Sequence, residues 1–355
     1  MILKNKSFKE NYLIEKLFLK NDLDDDELIW LIDNISEEAK KYLFSLSRKT
    51  ADSVYSNRVY LRALIEFTNY CKRECMYCGI NHYNKNVKRY RISKEEILLT
   101  CSKASDLGFK TFVLQGGEDP YFKDEIMVDI ISSIKKSNPN CAITISVGER
   151  SFESYKLMKM AGADRYLLRH ETMNKDLYKL LHKFSNLESR IECLKNLKKL
   201  KFQTGAGFMV GLLNYKTCDY VRDLRFLKTL KPEMVGVGPF ISHKDTFLRN
   251  FKNGDISTTL LMLSLIRLLL PKVLLPATTA VSTIDPNGRK RALDVGCNVI
   301  MPNVTPCIQR KEYNLYDNKK ITGAESAFEI EKIKKELESY GYICDMSRGD
   351  SKMTI

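Results

Sequence analysis

Short apolar runs rich in β-branched residues alternate with amphipathic stretches from about residue 60 onward, at a spacing of roughly thirty residues. The runs are Ala63–Phe67, Thr111–Leu114, Ala142–Ser146, Arg165–Leu168, Gly205–Met209, Met234–Val237, Val273–Leu275 and Val299–Met301. Helical periodicity fills several of the intervals, in Lys94–Leu107, Asp124–Lys136, Ser151–Ala161, Leu187–Leu200 and Cys218–Leu230. Eight strands joined by crossover helices predict an α/β fold, a parallel TIM-type (β/α)8 barrel.

The two ends of the chain have a helical pattern instead. Acidic residues at Asp24–Glu27 precede apolar residues at helical spacing, and a closing helix at Ala324–Tyr340 is followed by Gly341, which suits a helix C-cap. No low-complexity linker divides the chain. We therefore predict an N-terminal helical extension over 1–54, a barrel over 55–317, and a C-terminal helix and tail over 318–355 packed on the barrel.

Polar residues follow the predicted strands at their carboxyl ends, where a barrel of this type carries its chemistry. They are Glu66–Asn69, Gln115–Asp119, Thr144–Glu149, Arg169–Glu171, Thr278–Thr279 and Asn303. The agreement between strand phase and polar positions predicts an active site at that end of the barrel.

Composition and charge narrow the classes of protein. Hydrophobic residues make up 44% of the chain, but no apolar run reaches the length of a membrane span, and the N-terminus lacks the apolar segment of a signal peptide. We therefore expect a cytoplasmic protein. The net charge of +14 is spread over scattered lysines without a nucleic-acid-binding motif. It predicts a solvated basic surface or docking of an acidic partner or anionic substrate, with no nucleic acid bound.

Three of the ten cysteines stand apart from the rest. Cys71, Cys75 and Cys78 form a C-x3-C-x2-C pattern directly after the first barrel strand. A loop of this size can hold three irons of a [4Fe–4S] cluster and leave the fourth iron open for a ligand. The alternative is a zinc site with His82 as fourth ligand. We expect the seven other cysteines to be small buried residues with reduced thiols.

The cysteine spacing, with Tyr77 before the last thiol, resembles the radical S-adenosylmethionine (SAM) superfamily. In that superfamily SAM chelates the open iron, and one electron cleaves it to methionine and a 5′-deoxyadenosyl radical. Longer strings resemble the HydE family of [FeFe]-hydrogenase maturases, in the biotin synthase-like and methylornithine synthase-like group. They include Ile65–Tyr70, Val113–Tyr121, Ala163–Thr172, Thr204–Leu212, Gly236–Ile241, Pro276–Ala280 and Val299–Pro306, and run from about residue 55 to 317.

The resemblance and the chemistry of the strand ends together suggest SAM contacts. The segment Gln115, Gly116, Gly117 and Glu118 ends the second strand, where glycines permit close backbone approach and Glu118 suits the ammonium of SAM. Glu171, beside Arg169, can accept hydrogen bonds from the ribose hydroxyls, and Arg190 can pair with the SAM carboxylate. Met301 is expected beside the adenine. Many relatives have serine at the position of Gly116, so one hydroxyl is missing near the methionyl end.

Hydroxyl groups and tyrosines predict the substrate end of the site. The candidate residues are Thr144, Ser146, Thr278, Thr279, Arg310, Tyr313 and Tyr316. This set suits a small anionic ligand, either amino-acid-like or a metal–cyanide species. The HydE resemblance implies an organometallic iron–cysteine species carrying CO and cyanide, whose sulfur the adenosyl radical attacks on the way to the diiron subcluster of the hydrogenase. Other maturases and an electron donor are the partners implied, and we expect a monomer.

Several alternatives remain open at this point. Some relatives carry three C-terminal cysteines for a second cluster, but Ile321–Ile330 contains none, so we predict a single cluster. A methylornithine synthase-like mutase acting on an amino acid is the closest rival. A biotin synthase-like sulfur donor lacks the cysteines for a sacrificial cluster, and a non-catalytic metal- or nucleic-acid-binding protein would not need the polar barrel mouth.

Overall fold

Eight parallel strand positions close into a barrel in this computed structural model, which describes residues 2–319 and 327–353. The strands are β1 (Arg58–Leu61), β2 (Ala63–Thr68), β3 (Thr111–Gly116), β4 (Ala142–Ser146), β5 (Arg165–Leu167), β6 (Gln203–Ala206), β7 (Met209–Val210), β8 (Met234–Val235), β9 (Gly238–Pro239), β10 (Val299–Ile300) and β11 (Ile343–Asp345). The predicted fold class is confirmed.

The helices surround the barrel and extend it at both ends. They are α1 (Ile2–Lys20), α2 (Asp25–Asn34), α3 (Glu37–Tyr55), α4 (Lys94–Asp106), α5 (Asp124–Ser137), α6 (Phe152–Met160), α7 (Lys175–Leu181), α8 (Leu187–Lys199), α9 (Thr217–Leu230), α10 (Ile256–Leu269), α11 (Thr279–Ile284), α12 (Gly288–Asp294), α13 (Cys307–Arg310) and α14 (Ala327–Ser339). No helix among the described residues combines the length and apolar character needed to cross a bilayer.

Closure of the barrel depends on single bridges as well as ladders. Strands β2, β3, β4, β5, β6 and β8 form one parallel sheet in sequence order. Parallel bridges Met234–Leu274, Pro276–Val299 and Leu64–Asn303 complete the circle. The predicted seventh strand therefore occupies its place in the barrel without forming a regular ladder.

Helix starts follow the local sequence closely. Asp24 accepts a hydrogen bond from the backbone N–H of Glu27, whose side chain in turn bonds the N–H of Asp24, and Ser93 and Glu96 form the same capping box before α4. The predicted C-cap Gly341 has φ +82° after α14. The segment 320–326, and with it most of the cysteine-free stretch behind the single-cluster prediction, lies outside the described residues.

The N-terminal helices share one hydrophobic core with the barrel. Leu13, Leu28 and Leu43 are buried in the same cluster as Ile65 and Leu114. The proposed division at residues 54 and 317 stays a prediction, since no gap in packing marks either point in that cluster.

The C-terminal tail was predicted as helix and tail, and it also contributes a strand. Strand β11 pairs in parallel with β1, and residues 346–353, here called the base plug, then cross the amino ends of the barrel strands. Arg165 donates to the carbonyl of Arg348 and to Asp350, each at 2.6 Å. Arg62 donates to the carbonyl of Gly349 at 3.2 Å. The base plug thereby seals the end of the barrel opposite the predicted site.

Candidate active site

A cavity of about 380 Å³ opens at the carboxyl ends of the strands, where the active site was predicted. Most of the predicted site residues line it: Cys71, Cys75, Cys78, Gln115, Gly116, Gly117, Glu118, Ser146, Arg169, Glu171, Arg190, Thr278, Thr279, Met301, Tyr313 and Tyr316. The volume lies within the usual range for a small-molecule site.

Thr144 and Arg310 are the two predicted site residues that do not line this cavity. Thr144 is buried in β4, two residues before Ser146, and its hydroxyl has no hydrogen-bond partner among the described residues. Arg310 turns back on its own segment, where Nε donates to the carbonyl of Thr305 at 3.0 Å. The structure therefore does not bring either residue to the cavity wall.

The loop after β2 is fastened to its surroundings through its backbone. The N–H of Lys72 donates to the carbonyl of Glu118 at 3.0 Å, and the N–H of Met76 donates to the carbonyl of Leu181 at 3.1 Å. A Cβ on Gly117 would lie 2.2 Å from the carbonyl oxygen of Tyr70. Gly117 is thus required for packing against the cysteine loop, a reason the sequence did not reveal.

The three thiols of this loop form a sulfur donor set facing one cavity. They keep some exposure because the cavity is open, yet dense protein surrounds them, and this burial raises the pKa of each thiol. For Cys75 the neighbouring thiols Cys78 and Cys71 raise the pKa further. Thiolates in this place therefore need a positively charged group beside them, such as iron.

The spacing of the donors also bears on which group fits. Within the described ranges, no three His, Cys, Asp or Glu side chains are gathered closely enough to hold a single metal ion. A [4Fe–4S] cube is larger and separates its three thiolate ligands more widely than one ion does. His82, the fourth ligand of the zinc alternative, is exposed and absent from the cavity wall. The donor set fits the cluster.

Arg89, which the sequence did not single out, ties this loop together. Its guanidinium donates to the carbonyls of Asn69, Ile80, Asn81 and Asn84 at 2.5, 2.8, 2.6 and 3.1 Å. Each of these carbonyls flanks the cysteine segment on one side or the other. Arg89 could not be told apart from the neighbouring basic residues in the sequence. Its partners are backbone carbonyls, which every residue has, so no partner residue type marks its role.

Replacing Arg89 with methionine is expected to loosen the cysteine loop. Four carbonyls would lose a charged donor, so we expect the iron retained after anaerobic reconstitution and desalting to fall by about half or more. Iron and sulfide assays measure this directly. Lys88→Met is the control, since Lys88 is exposed. Equal iron content in Arg89→Met and the unaltered protein would rule out the anchoring role.

Arg73, Arg190, Glu118 and Glu149 form a charged network beside the cysteine loop. Arg73 lies 2.6 Å from Glu118 and 3.0 Å from Glu149, and Arg190 lies 2.9 Å from Glu149. Arg190 Nε is also 3.0 Å from the hydroxyl of Tyr178. The sequence indicated Glu118 and Arg190, but it missed Arg73 and Glu149, which orient them.

Glu171 has an unusual backbone and an unsatisfied side chain. Its φ of +67° lies in the left-handed region, which is costly for a residue with a Cβ. Its Oε2 is 3.1 Å from Arg169 Nη2 but lacks hydrogen-bond geometry and is otherwise buried without a partner. A strained residue that presents a free carboxylate oxygen to a cavity is typical of a ligand-binding position.

A neutral histidine supports the cysteine loop from below. Burial, aided by the charge of Arg190, lowers the pKa of His182 to about 3. Its Nδ1 lies 3.2 Å from the carbonyl of Tyr178 and therefore carries the hydrogen. Its Nε2 is left to accept a hydrogen bond from the hydroxyl of Tyr77 at 2.9 Å. This contact fixes the aromatic residue that precedes Cys78.

On the wall of the same cavity, Glu66 and Lys319 form an ion pair that the sequence did not indicate. Lys319 Nζ is 2.5 Å from Glu66 Oε1 and donates to the carbonyl of Tyr313 at 2.9 Å. Asn303 donates to Glu66 Oε2 at 2.7 Å. Both charged side chains line the cavity.

Comparisons with known proteins agree with this geometry. A model of the radical SAM superfamily matches residues 65–227. The [FeFe] hydrogenase maturase subunit HydE of Thermotoga maritima is 49% identical over 277 residues, covering 78% of this chain and 79% of that protein. The 3-methylornithine synthase of Methanosarcina acetivorans is 31% identical over 288 residues, covering 81% of each. The crystal structure of a methylornithine synthase superposes with a TM-score of 0.83 at 27% identity, covering 94% of this chain and 97% of that one.

Proposed function

The chain belongs to the HydE family of the radical SAM superfamily, and from this premise we propose that it cleaves SAM reductively and acts in assembly of the [FeFe]-hydrogenase diiron subcluster. The observation that carries the proposal is the meeting of three sulfur donors and the unsatisfied carboxylate of Glu171 in one cavity. The 49% identity to a hydrogenase maturase supports the choice of pathway.

The cysteine loop would hold the reactive group. Cys71, Cys75 and Cys78 would hold a [4Fe–4S] cluster, and that cluster would supply the electron for reductive cleavage of SAM. The backbone anchors of the loop and Arg89 keep the three thiols on the same cavity wall. Rigid support of this kind holds a reacting group in place without a cost at each turnover.

The neighbouring side chains would bind and orient SAM. The oxygens of Glu118 accept from Arg73 and from the N–H of Glu149, and each keeps a second lone pair for the ammonium. Arg190, held by Glu149 and Tyr178, would pair with the SAM carboxylate. Glu171 Oε2 makes no hydrogen bond, although it lies 3.1 Å from Arg169, and it would accept from the ribose. Gln115, Gly116, Gly117, Arg169 and Met301 complete this wall.

The part of the cavity around Leu64, Glu66 and Tyr313, here called the lower cavity, would exclude water from the reacting groups. Leu64, Leu167 and Ile300 contribute apolar surface, and Tyr313 and Tyr316 approach from the segment after β10. Ser146, Thr278 and Thr279 supply hydroxyls, and Thr278 Oγ1 is buried without a partner among the described residues. Such a chamber suits a small polar substrate, as an iron–cysteine species with CO and cyanide ligands would be.

Turnover of a synthetic iron–dicarbonyl–cyanide–cysteine complex tests the proposal. The reconstituted protein is incubated anaerobically with SAM, dithionite and the complex, and the products are separated by chromatography. We expect consumption of the complex together with 5′-deoxyadenosine, and neither in the control without SAM. Formation of 5′-deoxyadenosine without consumption of the complex would eliminate the maturase role and retain radical SAM chemistry.

A methylornithine synthase-like mutase is the second candidate, favoured by 31% identity and by the close match to a solved methylornithine synthase. Incubation with L-lysine under the same conditions distinguishes it, since only the mutase yields methylornithine. For the proposed maturase we infer other maturases and a one-electron donor as partners. The cytoplasmic location and the monomeric state stay predictions.

A further inference from the structure

The buried ion pair of Glu66 and Lys319 is poorly explained by stability. The two side chains are 1% and 10% exposed, so both charges have lost most of their hydration. A buried pair of this kind returns little net stabilisation, because desolvation offsets most of the attraction. Its position on the wall of the cavity that also contains the three cysteines indicates a role toward a ligand.

The two partners differ in how firmly they are held. The backbone N–H of Glu66 donates to Thr305 Oγ1 and its carbonyl accepts from the hydroxyl of Tyr90, each at 2.7 Å. Asn303 fixes one carboxylate oxygen. Lys319 has four rotatable side-chain bonds. Its Nζ contacts Glu66 and the carbonyl of Tyr313, and it lies 4.7 Å from the centroid of the Tyr313 ring. A fixed anion therefore lies beside a cation that can reorient.

Lys319 is also one of the basic groups on the cavity wall. Five basic side chains line the wall within the described ranges: Arg73, Arg169, Arg190, Arg289 and Lys319. The first three pair with glutamates beside the cysteine loop, and Arg289 pairs with Glu336 at 2.6 Å. Arg310 is turned away, and the glutamates of the first three arginines are assigned above to the SAM wall. Lys319 is the remaining one of these five cations whose carboxylate partner, Glu66, also lines the cavity.

We propose that Glu66 and Lys319 bind the α-ammonium and α-carboxylate of an amino-acid moiety in the substrate. A zwitterion carries the opposite charges side by side, so its entry exchanges one partner for another and leaves no buried charge unpaired. A ligand with only one of the two groups would strand either Glu66 or Lys319, which is costly. This inference rests on the proposed function in taking the lower cavity as the substrate site.

Binding of three thioethers to the SAM-saturated, reconstituted protein tests this inference. The probes are S-methyl-L-cysteine, 2-(methylthio)ethylamine without the carboxylate, and 3-(methylthio)propanoate without the amine, titrated calorimetrically without reductant. Saturation with SAM keeps the probes out of the methionyl site. We expect S-methyl-L-cysteine to bind at least about tenfold more tightly than either analogue.

Variants of Lys319 and Glu66 test which side chain binds the carboxylate and which binds the ammonium. Lys319→Met is expected to bind S-methyl-L-cysteine no better than 2-(methylthio)ethylamine, and Lys319→Arg is expected to restore most of the difference. Glu66→Gln is expected to lose the preference for the amine. Lys311→Met, an exposed lysine on the same segment, serves as the control and should match the unaltered protein. The cluster absorbance and the affinity for SAM show that each variant is intact, and Lys319→Met decides the outcome if Glu66→Gln does not fold.

Two results would overturn the inference. One is failure of S-methyl-L-cysteine to bind the unaltered protein more tightly than its analogues. The other is an equal loss of affinity for all three probes in Lys319→Met. Discrimination retained without consumption of the iron complex would instead reject the maturase role and leave an amino-acid substrate of another kind. Consumption of the complex without discrimination would reject only the inference.

Discussion

Replacement of Cys75 by alanine is expected to abolish iron loading and 5′-deoxyadenosine formation together. Cys75 lines the same cavity wall as Cys71 and Cys78, and its replacement would remove one of the three protein ligands of the proposed cluster. Without the cluster no group in the cavity supplies the electron for SAM cleavage. Iron and sulfide content, the visible absorbance and product chromatography after dithionite treatment measure both losses.

The matched control is Cys218→Ala, a cysteine on the outer helix α9. That variant should load about four irons per chain and cleave SAM as the unaltered protein does. Retention of SAM cleavage by Cys75→Ala would refute the cluster assignment. Loss of cleavage in both variants would show that thiol replacement alone damages the protein.

Replacement of Asp350 by asparagine is expected to lower the free energy of unfolding by about 3 kcal/mol. Asp350 is the carboxylate that faces Arg165, whose side chain is only 4% exposed, so the variant leaves a buried guanidinium without its charged partner. This loss is at the low end of what breaking a buried ion pair costs, because Asp350 itself is partly exposed and solvent screens the pair. Urea unfolding followed by circular dichroism measures the change.

The effect of Asp350 should depend on pH in a defined direction. Burial alone would raise the pKa of Asp350, but Arg165 and the hydrogen bonds from Gln203 and Arg348 outweigh it and hold that pKa well below its usual range. A carboxyl group with a lowered folded-state pKa stabilises the protein above its unfolded value of about 4 and loses the effect as the pH falls below it. The difference between the two proteins should therefore be constant near neutral pH and shrink in acid.

Asp129→Asn is the control, since it removes an exposed pair with Lys94 and should cost less than about 1 kcal/mol. An Asp350→Asn variant as stable as this control would show that the base plug does not depend on its charge.

The barrel could be predicted because its signal is local. Apolar runs, helical periodicity and the cap at Asp24 each depend on neighbouring residues, and the structure places the elements close to the predicted bounds. Helix α10 was missed because nearly every position from Thr259 to Leu269 is buried, which removes the polar face that marks an amphipathic helix. Strand β11 was missed because its apolar residue Ile343 is exposed and its other two residues are only partly buried, so they carry no alternating pattern.

The residues of the candidate site also divide into those with a local sequence signal and those without one. The three cysteines lie within eight residues, so their spacing could be recognised in the sequence. The partners of Glu66 lie 237 and 253 residues away along the chain, so its ion pair could not be predicted. Burial of the dispersed cysteines was predicted too broadly, because Cys101, Cys141 and Cys297 are buried but Cys307 is exposed. Arg310 is a cation that follows the last barrel strand, as a substrate-binding residue would, but its side chain donates to the carbonyl of Thr305 in its own segment. The direction of this side chain depends on the folded backbone and could not be predicted from the sequence.

The base plug also sets an order of events during protein synthesis. Arg62 and the carbonyl of Gly349 are 287 residues apart, so at about 5–20 residues per second a ribosome needs roughly 15–60 s to make the second after the first. Until then Arg62 and Arg165 lack the partners that the base plug supplies. The contacts that residues 346–353 make with the base of the barrel can therefore form only after the barrel strands that they cover have been synthesised.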